Sequence, residues 1–249
     1  YLSASITGSP GSLNWIIVTA LVNNAYYGGA YSPLQSRIYF APYAIANTAT
    51  WHYIDSSGNR QSYTHGATAV TNAYRGAVYS PTQNRIYFIP DGQANQAEWH
   101  YVDCSTGNVV AYTHGATAVA GAYCGGVYSP TQNRIYLMPY SQSNQSQWHY
   151  IDCNTGSVVA YTHGATVVAT GYFSGVFAPS HNRIYLVPYA QGPQSQWHYI
   201  DCNTGSVVAY NHGMSGLQPN AYAGGCYSPA TDRVYFAPNS QVIAGQWHF

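Results

Sequence analysis

Residues Asn133 to Gly164 read NRIYLMPYSQSNQSQWHYIDCNTGSVVAYTHG. A β-rich run opens the stretch, and a polar loop leads to a second run starting at Trp148-His149. A turn at Asn154-Thr155-Gly156 leads into a third run. Nearly the same text recurs along the chain. The arginines opening each copy are Arg37, Arg85, Arg134, Arg183 and Arg233, spaced 48, 49, 49 and 50 residues apart. Trp-His pairs keep step at Trp51, Trp99, Trp148, Trp197 and Trp247. Repeats of this period belong to propellers or solenoids, because one copy cannot bury its own faces and must stack on its neighbours. The 249 residues therefore read as one domain.

Each copy divides into four strands. The innermost, A, is glycine-rich (Gly125–Ser129 and equivalents), and a proline stops it because proline cannot donate to a ladder. Strand B follows the arginine and alternates β-branched with aromatic residues, as a strand half-buried on each face should. Strand C begins at Trp-His, and strand D follows a Thr-Gly or Ser-Gly turn. No stretch carries helical periodicity. The fifth copy ends at Trp247-His248-Phe249, inside its strand C. Residues 11–18 align with strand D, so they are expected to complete that last blade, with residues 1–10 as a tail. The expectation is an all-β, five-bladed β-propeller with four antiparallel strands per blade, closed by an N-terminal strand.

The run "NRIY" followed by "IDCNTGSVVAY" resembles the YVTN-type β-propeller repeat and, more loosely, WD-repeat and kelch blades. The resemblance covers nearly the whole chain and is one of fold. This sequence departs from it by a polar insert of about eight residues and a Trp-His between strands B and C. Those families mostly scaffold recognition, which the resemblance implies by analogy.

Composition narrows the functional classes. Lysine is absent, and the seven arginines balance seven acidic residues. Charge is too sparse for the basic footprint of a nucleic-acid binder or an anionic-membrane binder. No run reaches the roughly 20 apolar residues that cross a bilayer, and no signal peptide is visible. Extracellular or virion-surface placement is slightly favoured over cytoplasmic by the Asn-, Gln- and Tyr-rich surface. Cys104, Cys153 and Cys202 occupy one slot in successive copies, too far apart for bridges that need Cα atoms within about 7 Å. With Cys124 and Cys226 they read as free structural thiols.

Three sets of residues stand out. Each Arg–Asp couple (Arg37–Asp55, Arg85–Asp103, Arg134–Asp152, Arg183–Asp201) flanks one B–C hairpin and reads as a cross-strand ionic staple. The histidines His52/His65, His100/His114, His149/His163 and His198/His212 are expected to face each other across C–D hairpins. They would bond to loop backbone, and His149 with His163 is the pair that a metal reading would use; no metal is expected, nor any other cofactor. Catalytic residues are not expected: His52 and Asp55 lie three apart on a strand and face opposite ways, and no nucleophile elbow or phosphate loop occurs.

The B–C loops and their flanking tryptophans offer stacking planes beside amides. This is the chemistry of a sugar-binding surface, with candidate residues Trp51, Trp99, Trp148, Trp197, Trp247, Tyr140, Asn144, Gln147, Tyr189 and Gln196. Five copies would add avidity. One further slot varies while its neighbours hold still, as Tyr27, Arg75, Cys124, Phe173 and Ala223. Five different residues at a channel mouth could form a single asymmetric site. The reading is a non-catalytic, multivalent recognition module for glycans or a protein surface. Its alternatives are a self-assembling structural protein of a virion, fibre or extracellular assembly and, more distantly, an enzyme with its site at the channel mouth.

Overall fold

A computed structural model of the chain describes residues 22–240, 248 and 249, together with the backbone of two strands nearer the start, β1 (Ser3–Ile6) and β2 (Leu13–Ile16). The described residues are all-β. Blade 1 comprises β3 (Tyr26–Ser32), β4 (Arg37–Pro42), β5 (Thr50–Ile54) and β6 (Arg60–Thr64). Blade 2 holds β7 (Tyr74–Ser80), β8 (Arg85–Pro90), β9 (Glu98–Asp103) and β10 (Val109–Thr113). Blade 3 holds β11 (Tyr123–Ser129), β12 (Arg134–Pro139), β13 (Gln147–Asp152) and β14 (Val158–Thr162). Blade 4 is built from β15 (Tyr172–Ala178), β16 (Arg183–Pro188), β17 (Gln196–Asp201) and β18 (Val207–Asn211). Each is a four-stranded antiparallel sheet in chain order. The fifth sheet has two described strands, β19 (Tyr222–Ser228) and β20 (Arg233–Pro238). Beside β20, the Phe236 N–H donates to the His248 carbonyl at 3.2 Å, where a third strand would run.

The innermost strands pack in sequence, β3 on β7, β7 on β11, β11 on β15 and β15 on β19. Their approach is close: a Cβ on Gly28 would lie 3.4 Å from Gly76 Cα, and one on Gly76 3.3 Å from Gly125 Cα. That crowding explains the small residues of strand A. Each blade turns a forward face to the next and a rear face to the one before. Between blades 1 and 2, for instance, Tyr39, Ala41 and Trp51 meet Tyr74, Ile86, Phe88 and Val102 in one buried core. The same core recurs between each later pair.

One expectation needs correction, and another falls partly outside the described residues. Residues 1–10 are not all tail, since β1 lies within them and pairs antiparallel with β2. The expected closing strand therefore has β1 as its described partner, and among the described residues nothing joins β2 to the fifth sheet. Nor does β19 pack on β3 as the other innermost strands do on one another. Trp247, and most of the expected strand C of the fifth copy, lie outside the described residues.

The turns keep their sequence logic. Asn84, Asn133 and Asn182 precede the arginines with φ of 53°, 52° and 49°, a left-handed conformation that asparagine tolerates better than most residues. Gly156 ends a C–D turn at φ 83°, pressed against Arg85, Gln83 and Tyr87 of the preceding blade.

The ionic staples are not formed. Arg134 and Asp152 are register partners, as are Arg85 with Asp103 and Arg183 with Asp201, yet none forms an ion pair. Each guanidinium instead lies over a strand-C tyrosine: Arg37 over Tyr53 at 4.4 Å, Arg85 over Tyr101 at 4.3 Å, Arg134 over Tyr150 at 4.2 Å and Arg183 over Tyr199 at 4.3 Å. The aspartate faces its own turn, Asp152 Oδ1 accepting the Asn154 N–H at 2.8 Å. Turn amides are nearer and already oriented, and the planar cation gains more by stacking on a ring.

Candidate functional site

The tryptophans come first, because the sequence points to them. Trp51, Trp99, Trp148 and Trp197 are fully buried, so their faces are closed to any ligand. Each stacks on the histidine of its own blade's Thr-His-Gly or Asn-His-Gly end: Trp51 on His65 at 3.6 Å, Trp99 on His114 and Trp148 on His163 at 3.9 Å, Trp197 on His212 at 4.2 Å. The indole N–H donates inward to a loop carbonyl, Trp148 to Ser143 O at 3.1 Å. An open depression of about 450 Å³ lies beside this column in blade 3, lined by Asn144, His163 and their neighbours. Asn144, Gln147 and Gln196 are exposed on the loops, without the aromatic plane expected beside them.

The histidine pairing also differs from expectation. His52 lies opposite Ser62 and not His65. The strand-C histidines hydrogen-bond through Nδ1 to the strand-A tyrosine of their own blade, His52 with Tyr26 at 2.6 Å and His198 with Tyr172 at 2.5 Å, with Tyr74–His100 and Tyr123–His149 alike. The other histidines lock the loops. His163 Nε2–H donates to Gln145 O at 2.5 Å while Nδ1 accepts from Ala165 N–H at 3.0 Å. Both nitrogens of His163 are thus used, which removes it as a metal ligand. Burial pushes His100, His149 and His198 down to about 4, helped by a histidine of the preceding blade.

The variable slot has a structural cause. In each strand A the ladder slips between the first tyrosine and the second residue after it: Tyr123 pairs with Pro139, Gly125 with Met138, and Cys124 has no partner. The same slip sets apart Tyr27, Arg75, Phe173 and Ala223. A β-bulge frees one residue from the ladder and re-aims its side chain. Its identity is then not fixed by pairing.

Four of these five side chains meet or nearly meet. The Arg75 guanidinium lies 5.4 Å from the ring centres of Tyr27, Tyr43 and Tyr140, within reach of cation–π attraction. It donates to Tyr43 Oη and to Cys124 Sγ, both at 3.2 Å. Its Nε sits 3.0 Å from Asp91 Oδ2, an ion pair without hydrogen-bond alignment, and Asp91 Oδ1 is buried without a partner. The aromatic lining continues from Tyr140 to Phe173 and Tyr189, with ring centres 5.3 to 6.1 Å apart. On the fifth blade the slot holds Ala223, with neither ring nor charge.

Burial raises the Asp91 carboxyl to about 6 against the pull of Arg75, and raises the Cys124 thiol to about 12. Burial works against the Arg75 cation, but the neighbouring Cys124, Tyr43 and Asp91 outweigh it and hold the guanidinium charged. Cys124 is therefore a neutral thiol at pH 7 and no nucleophile.

Tyr43 and Asp91 escaped the sequence reading. Each is the first residue after the proline that closes strand B, in a column that runs Tyr43, Asp91, Tyr140, Tyr189, Asn239. That column varies as the bulge slot does, and reading the two together would have found the cluster.

No protein-family model matches the chain, and no curated protein matches it. Solved structures do. Virginiamycin B lyase from Staphylococcus aureus superposes with a TM-score of 0.59 at 15% identity, over 86% of this chain and 64% of that one. A streptogramin B lyase gives 0.58 at 16% identity, over 96% and 66%. An auxiliary nutrient binding protein from Bacteroides thetaiotaomicron gives 0.58 at 15%, over 88% and 53%. The chain thus spans about two thirds or less of the length of these neighbours. Identities this low carry the fold and nothing of the chemistry. What the likeness establishes is a β-propeller architecture of repeated four-stranded blades.

Proposed function

We propose that the protein is a non-catalytic recognition propeller with one asymmetric binding site, formed where the bulged inner strands of blades 1 to 4 converge on Arg75. One observation carries this reading: a buried-edge guanidinium faces three tyrosine rings drawn from two different blades. The walls continue with Phe173 and Tyr189, and the fifth blade supplies only Ala223 on its side. Aromatic faces beside spare guanidinium N–H groups suit a polar ligand with an apolar ring face, of which a sugar is the simplest. The five-fold lectin surface is set aside, since its four described tryptophans are inside. Catalysis is not part of the proposal: Asp91 is held by Arg75, Cys124 is a neutral thiol, and the strand-C histidines are bonded to tyrosine.

A glycan array followed by calorimetry on the hits tests it. Binding is expected with one site per chain, weakened about fivefold or more by Tyr189→Ala, in line with roughly 1 kcal/mol or more for a lost aromatic contact. Silence across sugars and small polar ligands, or a hit indifferent to Tyr189, would rule the site out.

A further inference from the structure

Charge is divided unequally between the two ends of the sheets. Arg37, Arg85, Arg134, Arg183 and Arg233 each open a strand B, over an aromatic ring of their own repeat. Arg60 opens β6 at that same end, opposite Ile54. Arg75 is the one arginine at the other end. Its bulge falls between Tyr74, which pairs with Pro90 at the close of β8, and Gly76, which pairs with Ile89. A strand of six residues puts roughly 17 Å between Arg85 and that end. The acids divide likewise: Asp91 and Glu98 share the end that holds Arg75, and Glu98 pairs outward with Thr113 of β10. Within the Arg75–Asp91 pair the two charges are not equally reachable. The arginine side chain is 19% exposed and the aspartate 7%. Asp91 meets Nε from the buried side through Oδ2, while its Oδ1 lies 3.6 Å from where a Cβ on Gly121 would stand. What solvent meets at the mouth is therefore mainly the cation. The other acceptors around it are neutral, a thiol and a phenol, both at 3.2 Å. A thiol sulfur accepts weakly, whereas a carboxylate accepts from arginine about twice as strongly as a neutral group does.

We propose that the ligand of this mouth is a carboxylated sugar, a uronic acid, whose carboxylate docks on the Arg75 guanidinium while its ring rests on the aromatic wall. The inference rests on the binding site argued above and names what that site selects. The wall suits the division of labour. Tyr140, Phe173 and Tyr189 form a triangle with ring centres 5.3 to 6.1 Å apart, and Tyr140 also lies 5.4 Å from the guanidinium. A uronic acid carries both requirements on one ring, an apolar face and an anionic group. Asp91 is the obstacle to a second carboxylate, and its surroundings lower that obstacle. Its carboxyl is already raised to about 6, so repulsion from an incoming anion leads it to take a proton from solvent. The other titratable groups facing the pair are the Cys124 thiol and the phenols of Tyr27, Tyr43 and Tyr140, so Asp91 is the group that answers the new charge. Binding is coupled to proton uptake and tightens as pH falls from 7.5 through 6.

Calorimetry with glucuronate and galacturonate, each against its neutral parent sugar, tests this at pH 7.5 and 5.5. At pH 5.5 the uronate is expected to bind about tenfold tighter than its parent, as a charged hydrogen-bond partner of arginine should. Its own affinity should rise severalfold between pH 7.5 and 5.5, while that of the parent stays level. Repeating the titration in buffers of different ionisation heat should show up to one proton taken up per ligand. Arg75→Gln should bring the uronate down to its parent. Asp91→Asn keeps the shape of the side chain and should hold the uronate tightly at both pH values without proton uptake, which keeps the test decisive if Arg75→Gln does not fold. A uronate bound no tighter than its parent, or taken by the wild type without a proton, overturns the inference and leaves the sugar site standing. Silence of every sugar, neutral and acidic, removes the site itself and this inference with it.

Discussion

The Trp–His columns and the Arg75 mouth lie a few residues apart in every repeat and follow opposite rules. In the columns the sequence hardly changes from blade to blade, and each fully buried tryptophan stacks on a histidine that is hydrogen-bonded to the loop. At the mouth the sequence changes at every blade, and the five bulge residues differ in size, charge and polarity. Repetition at the columns reflects a packing problem solved once and copied, since each blade must present the same faces to its neighbours. Variation at the mouth is tolerated because a bulged residue owes nothing to the ladder. Sameness therefore marks structure here, and difference marks the place where a single ligand could be read.

The most disruptive test of that contrast is Trp148→Ala. It removes a fully buried indole and its stack on His163, and should cost about 3–5 kcal/mol, seen as a large fall in the denaturant midpoint. If the variant instead keeps its stability and loses only binding, the column is a ligand surface and the contrast fails.

Acid should act next, and mainly through the columns. His100, His149 and His198 titrate near 4 when folded against 6.5 when free, so the folded state prefers them neutral. Their contribution to stability is complete above about pH 6.5 and is lost progressively as pH falls toward 4. Asp91 runs the other way: its carboxyl, raised to about 6 from 3.8, favours the fold at low pH and penalises it increasingly as pH rises from 3.8 through 6. Three histidines against one aspartate give net acid destabilisation. Unfolding curves between pH 7 and 4 should register this, and His149→Gln should flatten the slope.

At the mouth, Arg75→Leu leaves the Asp91 carboxylate without its cation. The loss should be about 1–3 kcal/mol at pH 8, where Asp91 is ionised, and smaller at pH 5, where it is mostly protonated. A loss independent of pH would mean that Arg75 serves only as packing. The smallest effect is expected at Arg134, whose guanidinium lies over Tyr150: Arg134→Leu should cost about 0.5–1 kcal/mol, and Asp152→Asn less, because no ion pair joins the two.

Much of the blade was legible beforehand. Prolines after strands A and B, glycines and asparagines at the turns, and the alternation of Arg85–Ile89 each have a local cause, and the strands fall where those causes put them. The ionic staples and facing histidines misled because sequence spacing gives adjacency in a sheet without saying which neighbour wins. Arg134 and Asp152 are indeed opposite one another, yet a tyrosine ring and a turn amide are better placed for each. The tryptophans misled for a related reason: a Trp bordering a polar loop looks available until the loop carbonyls and a histidine close over it.

By itself the sequence determined the repeat, the strands within it, the sparse and balanced charge and the slot that varies. Those follow from local chemistry and from a period that can be counted. Tertiary structure alone decided that the slot is a bulge, that Tyr43 and Asp91 join Arg75 there, and that the four described tryptophans are buried. Burial depends on what lies across an interface, and a chain read one residue at a time does not record its neighbours in space.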